Sequence, residues 1–247
     1  MKRSYIQMPL LIQGSRQPRN DIDVFLEPVI DELVEMFEKG VPDVWDEYKK
    51  EHVTIKGVLI ATITDLPGRG SLSGEKTKGY TGCVECLDDT DAVNLPNNSK
   101  IVYMGHRRFL PKDHPYRRNR KDFNGTIEKR LAPKYRDGPA ILRELNKLEV
   151  VLGKGDNAVA APDGSVWKKK SVFWKLPYWP FLSVRHCLDP MHITKNMCAN
   201  TLNTLMDTGG TSKDSLATRL DMQHLEIIKE LYLVELENGQ FKLPVAS

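Results

Sequence analysis

Apolar positions along this chain fall into a few helical stripes, one run of β-branched residues, and long stretches with no period. From Val24 to Phe37 the residues Leu26, Val29, Ile30, Leu33 and Phe37 recur at three- and four-residue spacing, which places them on one face of a helix. Asp21 or Asp23 is the expected N-cap, and Pro28 is read as lying in the first turn, where its missing N–H costs little. Val53 to Ile63 is rich in β-branched residues and stops at Thr64-Asp65-Leu66-Pro67-Gly68. That pattern predicts a central strand with Asp65 at its C-terminal tip, or a helix leading into a short strand. Tyr5 to Ile12 predicts a short buried strand closed by a Gly/Ser/Pro stretch.

Further along, Ile141, Leu142, Leu145 and Leu148 predict a helix over Pro139 to Leu152. Asp189-Pro190 offers an N-cap followed by proline at the first helical position, which opens a helix running to about Met206. Met222, Leu225, Ile228 and Tyr232 predict a last helix from Arg219 to Glu235. The aromatic run from Phe173 to Phe181 is a candidate core. Residues 68–138 and 153–170 show no long periodic segment, and a stretch as long as the first needs a metal clip or a binding role to order it. The expected division is residues 1–67 as a partial sheet-and-helix core, 68–138 as an insertion, 139–235 as a helical region, and 236–247 as a tail. No internal repeat or low-complexity tract appears.

Composition bounds the function classes. The 247 residues are 40% apolar, enough for a core, and no run approaches eighteen apolar residues. The first ten residues lack the features of a secretory signal, so a reducing compartment and no membrane are expected. Net charge is only +3, but its distribution is uneven. Residues 20–51 hold eleven acids against three bases, and residues 101–125 hold seven bases against two acids.

Four cysteines in a chain of this length do not make a disulfide framework. Cys83-Val84-Glu85-Cys86 can bring two sulfurs to one ion from a tight turn, and Gly82 lets the backbone fold back. His186 and His192 could complete a tetrahedral zinc shell, because the Pro190 break lets rings six residues apart converge. The alternative is an unligated cysteine pair with one buried, hydrogen-bonded histidine and one at a helix start. Cys187 and Cys198 read as ordinary thiols, and neither has the base partner of a nucleophile. Asp65, held at a strand tip, could bind Mg²⁺ in a two-metal site, or it could only cap the turn before Pro67.

The segment from His106 to Lys121 interleaves bases with Phe109 and Tyr116. Arg107, Arg108, Lys112, Arg117, Arg118, Arg120 and Lys121 could pair with DNA phosphates while exposed aromatics stack on unpaired bases. The alternative is a solvated loop.

Taken together, these residues resemble the transposases of plant CACTA elements, the En/Spm-like family of the tnp2 type. The matching stretches are Gly14 through Asp23-Val24-Phe25-Leu26, Ile63-Thr64-Asp65-Leu66-Pro67, Leu72-Ser73-Gly74 with Lys78-Gly79-Tyr80, and Cys83-x-x-Cys86. They continue with Tyr103-x-Gly105-His106-Arg107-Arg108-Phe109-Leu110-Pro111, Leu176-Pro177-Tyr178-Trp179, and Arg185-His186-x-Leu188-Asp189-x-Met191-His192-Ile193-x-Lys195-Asn196. They span about residues 2 to 221 in the family's order.

The resemblance implies an α/β (α+β) fold: part of a ribonuclease H-like core of the DDE/D type, carrying a zinc-stapled irregular insertion. It makes Asp65 the second acidic residue of the catalytic triad. Cys83, Cys86, His186 and His192 become a structural zinc site, and Mg²⁺ serves the full-length parent. DNA is the implied partner and the nucleus the implied compartment, with a full-length transposase or a second copy of this chain as possible assembly partners. The first catalytic aspartate would lie upstream of the segment matching Met1 and the third acid downstream. Glu226, Glu230, Glu235 and Glu237 do not sit in its motif, and Asp21 and Asp23 match a helix start. Thr194 and Cys187 stand where Glu and Asn are expected. The chain is therefore expected to represent a transposase that cuts and joins element ends, without doing so alone. The other reading is a non-catalytic, zinc-stabilised DNA-binding or protein-interaction module derived from one.

Overall fold

The structure, a computed structural model, describes residues 7–14, 17–152, 158–206, 208 and 212–242. The fold is mixed α/β, and among the described residues its strands form small two-stranded sheets. The chain divides into two compact units, each assembled from two separated pieces: Met1–Thr77 with Tyr135–Asp189, and Lys78–Lys134 with Pro190–Ser247.

In the first unit, helix α1 (Ile22–Glu38) follows the predicted apolar stripe. Ile30 is fully buried, and Leu26, Leu33 and Val34 pack beside it against Val172, Phe173, Leu176 and Trp179. Val172 and Phe173 lie in one 3₁₀ turn (Val172–Lys175), Leu176 follows it, and Trp179 opens the next turn (Trp179–Phe181), so the aromatic run supplies the core expected of it. Phe173 and Trp179 stack with ring centroids 5.1 Å apart. Pro28 falls in the second turn of α1 rather than the first, because the helix begins at Ile22. It is exposed, so the carbonyl it leaves without a donor can turn to water. Asp23 is no cap: its carboxylate pairs with the buried Lys169 ammonium at 2.7 Å.

The expected strand over Val53 to Ile63 divides in two. Strand β1 (Val41–Asp46) and strand β2 (Glu51–Ile55) form an antiparallel hairpin whose turn is set by Asp46, which accepts from the backbone N–H of Tyr48 and of Lys49. The chain then leaves the ladder. Gly57 lies so close to α1 that a Cβ there would sit 2.3 Å from Met36 Sδ, and the Leu59 N–H bonds to Tyr178 Oη instead of a strand. Only β3 (Thr62–Thr64) resumes the extended form.

Helix α2 (Leu66–Ser73) follows β3, and helix α4 (Gly138–Leu145) is shorter than the predicted 139–152 segment. Strand β6 (His186–Leu188) ends this unit. The predicted strand over Tyr5 to Ile12 is not found: residues 7–12 are irregular, and residues 5 and 6 lie outside the described residues.

The second unit holds the antiparallel pair β4 (Ala92–Leu95) and β5 (Lys100–Tyr103), the one-turn helix α3 (Pro115–Arg118), helix α5 (Pro190–Leu205) and helix α6 (Leu216–His224). A short hairpin, β7 (Val234–Glu235) with β8 (Phe241–Lys242), stands where the last helix was expected to continue. Helix α5 starts at Pro190, as the Asp-Pro signal predicts. The Asp221 carboxylate on α6 accepts four hydrogen bonds from the backbone and side-chain amides of Asn97 and Asn98, tying α6 to the β4–β5 turn. Residues 78–134 are thus ordered largely by polar ties, which is why apolar periodicity does not reveal them. Among the described residues no helix is long and apolar enough to cross a membrane.

Candidate nucleic-acid interface and metal half-sites

Asp65 stands where the apolar run ends. Strand β3 pairs in parallel with β6, with Thr62 opposite His186 and Thr64 opposite Leu188, and the ladder closes with Asp189 N–H donating to the Thr64 carbonyl at 2.8 Å. Asp65 and Asp189 therefore follow the C-terminal ends of two neighbouring parallel strands. The side chain of Asp65 also caps α2: Oδ1 accepts from the Gly68 N–H at 2.7 Å. Strand tip and helix cap are the same residue here, so the functional and capping readings are compatible. One carboxylate oxygen is used by the cap and the other is left for a further ligand.

The cysteine pair sits in the second unit. Cys86 is buried, Cys83 is half-buried, and the turn between them closes by the Leu87 N–H donating to the Cys83 carbonyl at 2.8 Å. A Cβ on Gly82 would lie 2.3 Å from Tyr103 Oη, so only glycine fits before the motif. The Cys83 thiol and the Arg108 guanidinium, which donates to the carboxylate and carbonyl of Asp89, both act on Cys86. Burial pushes the Cys86 thiol up, while the Arg108 contact opposes that shift.

His186 lies in the first unit. Its Nδ1 shares a 2.7 Å hydrogen bond with Thr62 Oγ1, and its ring stands edge-on to Phe173 and Trp179. Burial, with the Arg69 and Arg185 charges adding, lowers its pKa to about 3, so the imidazole is neutral. His192 is exposed in the first turn of α5. Among the described residues no group of three or more His, Cys, Asp or Glu side chains is gathered to hold one ion. The dithiol fits the sulfur half of a zinc shell. The neutral His186, with Nδ1 fixed and Nε2 left for a ligand, has the form of a metal-binding imidazole.

The basic segment separates into two kinds of residue, which spacing did not distinguish. Arg107 is buried, and its guanidinium donates to the carbonyls of Tyr116, Asn119 and Thr126 and to Asn124 Oδ1, while lying 4.5 Å from the Phe123 ring centroid. Arg117 is 3% exposed and donates to the carbonyls of Arg107 and Arg130. Arg108 is spent on the carboxylate and carbonyl of Asp89. These three arginines are internal ties that replace an apolar core. Glu128, buried, pairs with Arg130, which lowers the Glu128 carboxyl to about 2.

Lys112, Arg118, Arg120 and Lys121 are exposed on the same scaffold, and Phe109 and Tyr116 are more than half exposed. Lys129, absent from the sequence-based set, joins them. Its spacing gave no signal, since the return of residues 127–131 beside α3 depends on the Glu128 N–H bond to the Arg117 carbonyl. Such a surface can neutralise phosphates with its cations while the buried guanidiniums hold its shape.

No curated protein and no solved structure matches the chain. Residues 1–148, more than half of it, match the family model described as transposase family tnp2, a span that contains the α1 helix, the Asp65 strand tip, the cysteine pair and the basic segment. The chain belongs to the tnp2 transposase family.

Proposed function

We propose that this chain binds DNA through the exposed cations of residues 112–129 and carries, in Asp65, one metal-binding carboxylate of a CACTA-type ribonuclease H-like core. The observation that supports this best is the position of Asp65: directly after a strand end, in a parallel pair, with one oxygen not used by the helix cap. Two-metal phosphoryl transfer needs two or three such carboxylates converging on Mg²⁺, which when bound would activate the attacking oxygen and stabilise the leaving one. Asp65 and Asp189 follow the ends of β3 and β6, and among the described residues no third ligand is gathered with them, so the chain is read as binding DNA without cutting it. A structural zinc held by Cys83 and Cys86, with His186 and His192 as its nitrogen ligands, belongs to the same reading, as does action in the nucleus.

The test is incubation of the purified chain with supercoiled plasmid and Mg²⁺, beside a binding titration on the same DNA. Binding without nicking is expected. Mg²⁺-dependent nicking that disappears in Asp65→Ala would overturn the inactivity and keep the role of Asp65, whereas absence of any DNA affinity would overturn the whole reading. A second reading, a zinc-stabilised binding module with no part in catalysis, is favoured by the arginine scaffold lying in the unit that does not contain Asp65. An unchanged outcome for Asp65→Ala complexed with a complete transposase would select it.

A further inference from the structure

Helix α3 and residues 127–131 border a shallow concavity of about 460 Å³. Three cations from three separate segments, Lys112, Arg118 and Lys129, line it, and among the described residues none of them has an ion-pair partner. Ile127 and Leu131, 37% and 60% exposed, are the apolar part of its wall. Glu128 also borders it, but that carboxylate is bound by Arg130 and does not neutralise the cations. The spacing of the walls is fixed, because Arg117 is bonded to the Arg130 carbonyl and the Glu128 N–H to the Arg117 carbonyl. A concavity lined by both cations and aliphatic carbons matches a single nucleotide, phosphate on the cations and base face on the carbons. In a duplex the bases are stacked and paired and cannot reach that wall.

We infer that this concavity seats one unpaired nucleotide of a DNA strand, so that the chain prefers DNA with an unpaired end or flap over blunt duplex. The inference rests on the DNA-binding reading of the same segment.

Fluorescence anisotropy of the full chain on a blunt duplex, and on the same duplex with a short single-stranded overhang, tests it. The overhang should bind about fivefold to tenfold tighter, the lower range for one base seated on a protein surface. Leu131→Ser, an exposed position, should erase that preference and leave duplex affinity unchanged, with an unchanged urea midpoint showing that the fold persists. Arg120→Ala should weaken both DNAs alike. Equal affinity for the two DNAs, or a preference that survives both Leu131→Ser and the Lys112→Ala/Lys129→Ala pair, overturns the inference while the DNA reading stands. Displacement of the overhang by micromolar deoxynucleoside monophosphate would make this a free-nucleotide site and overturn it as well. No affinity for any DNA would remove both.

Discussion

Replacing Arg107 by methionine should unfold the basic segment without touching any residue that faces DNA. The guanidinium makes five hydrogen bonds of 2.8 to 3.2 Å to four acceptors, three of them backbone carbonyls. Charged donors to such acceptors are worth about 1.5–3 kcal/mol each, but these share one side chain, and carbonyls near the surface regain water when it is removed. Methionine keeps the stem packed against Phe123, so the net cost is about 3 kcal/mol. Lysine at 107 retains the charge yet cannot span four acceptors with one ammonium, and should recover less than half of the loss. Arg118→Met, an exposed position on α3, should cost under about 0.5 kcal/mol. Urea unfolding measures the totals, and amide hydrogen exchange over residues 106–130 shows whether the opening is local. An Arg107→Met protein with unchanged stability and exchange but weakened DNA affinity would refute the structural role and return Arg107 to the set of phosphate ligands.

Other consequences can be checked in the same preparations. Lys169→Met removes the only charge paired with Asp23 among the described ion pairs, in a place where burial already raises the Asp23 pKa. It should cost about 3–5 kcal/mol in urea unfolding, with Lys169→Met/Asp23→Asn recovering part of it. Glu128 has a folded pKa of about 2 against an ordinary 4.5, because Arg130 holds it ionised. Its contribution is therefore complete above about pH 4.5 and lost as pH falls toward 2, so the urea midpoint should fall less steeply below about pH 4.5 in Glu128→Gln than in the parent. Metal analysis of purified protein should find one zinc, lost in Cys83→Ser, and full occupancy in that variant would remove the cysteine pair from the site.

The features legible in the sequence are those set by local pattern. The stripe of α1, the aromatic core, the Asp189-Pro190 helix start and the strand tip at Asp65 each depend on a few neighbouring residues, and each stands where the pattern put it. What escaped depends on partners far along the chain. The pairing of β3 with β6 joins residues more than 120 positions apart through three-residue strands, too short to carry a period. The Val53–Ile63 run is β-branched throughout, yet Gly57 meeting α1 and Tyr178 capturing the Leu59 N–H end its ladder, and neither contact is written in that run.

Arginine is the clearest case. Seven bases in a stiffened segment read as a uniform basic surface, because one-dimensional charge does not tell a guanidinium that meets phosphates from one that meets carbonyls. The signal that could have separated them is the turn Asn124-Gly125 after Phe123, which folds carbonyls and an aromatic ring back toward Arg107. Lys129 illustrates the converse. It joins the basic face because a backbone bond brings residues 127–131 back to α3.

The central claim is that DNA is bound by the exposed cations of a scaffold built on buried arginines, and the salt dependence of binding tests it most directly. Each cation that meets a phosphate contributes about 0.9 to the slope of log K against log salt on duplex DNA. The triple variant Arg118→Ala/Arg120→Ala/Lys121→Ala should therefore bind more weakly with its slope reduced by about 2.7, while its urea midpoint stays with the parent. An unchanged slope in that variant, or a parent protein with no salt-sensitive affinity for DNA, would contradict the account.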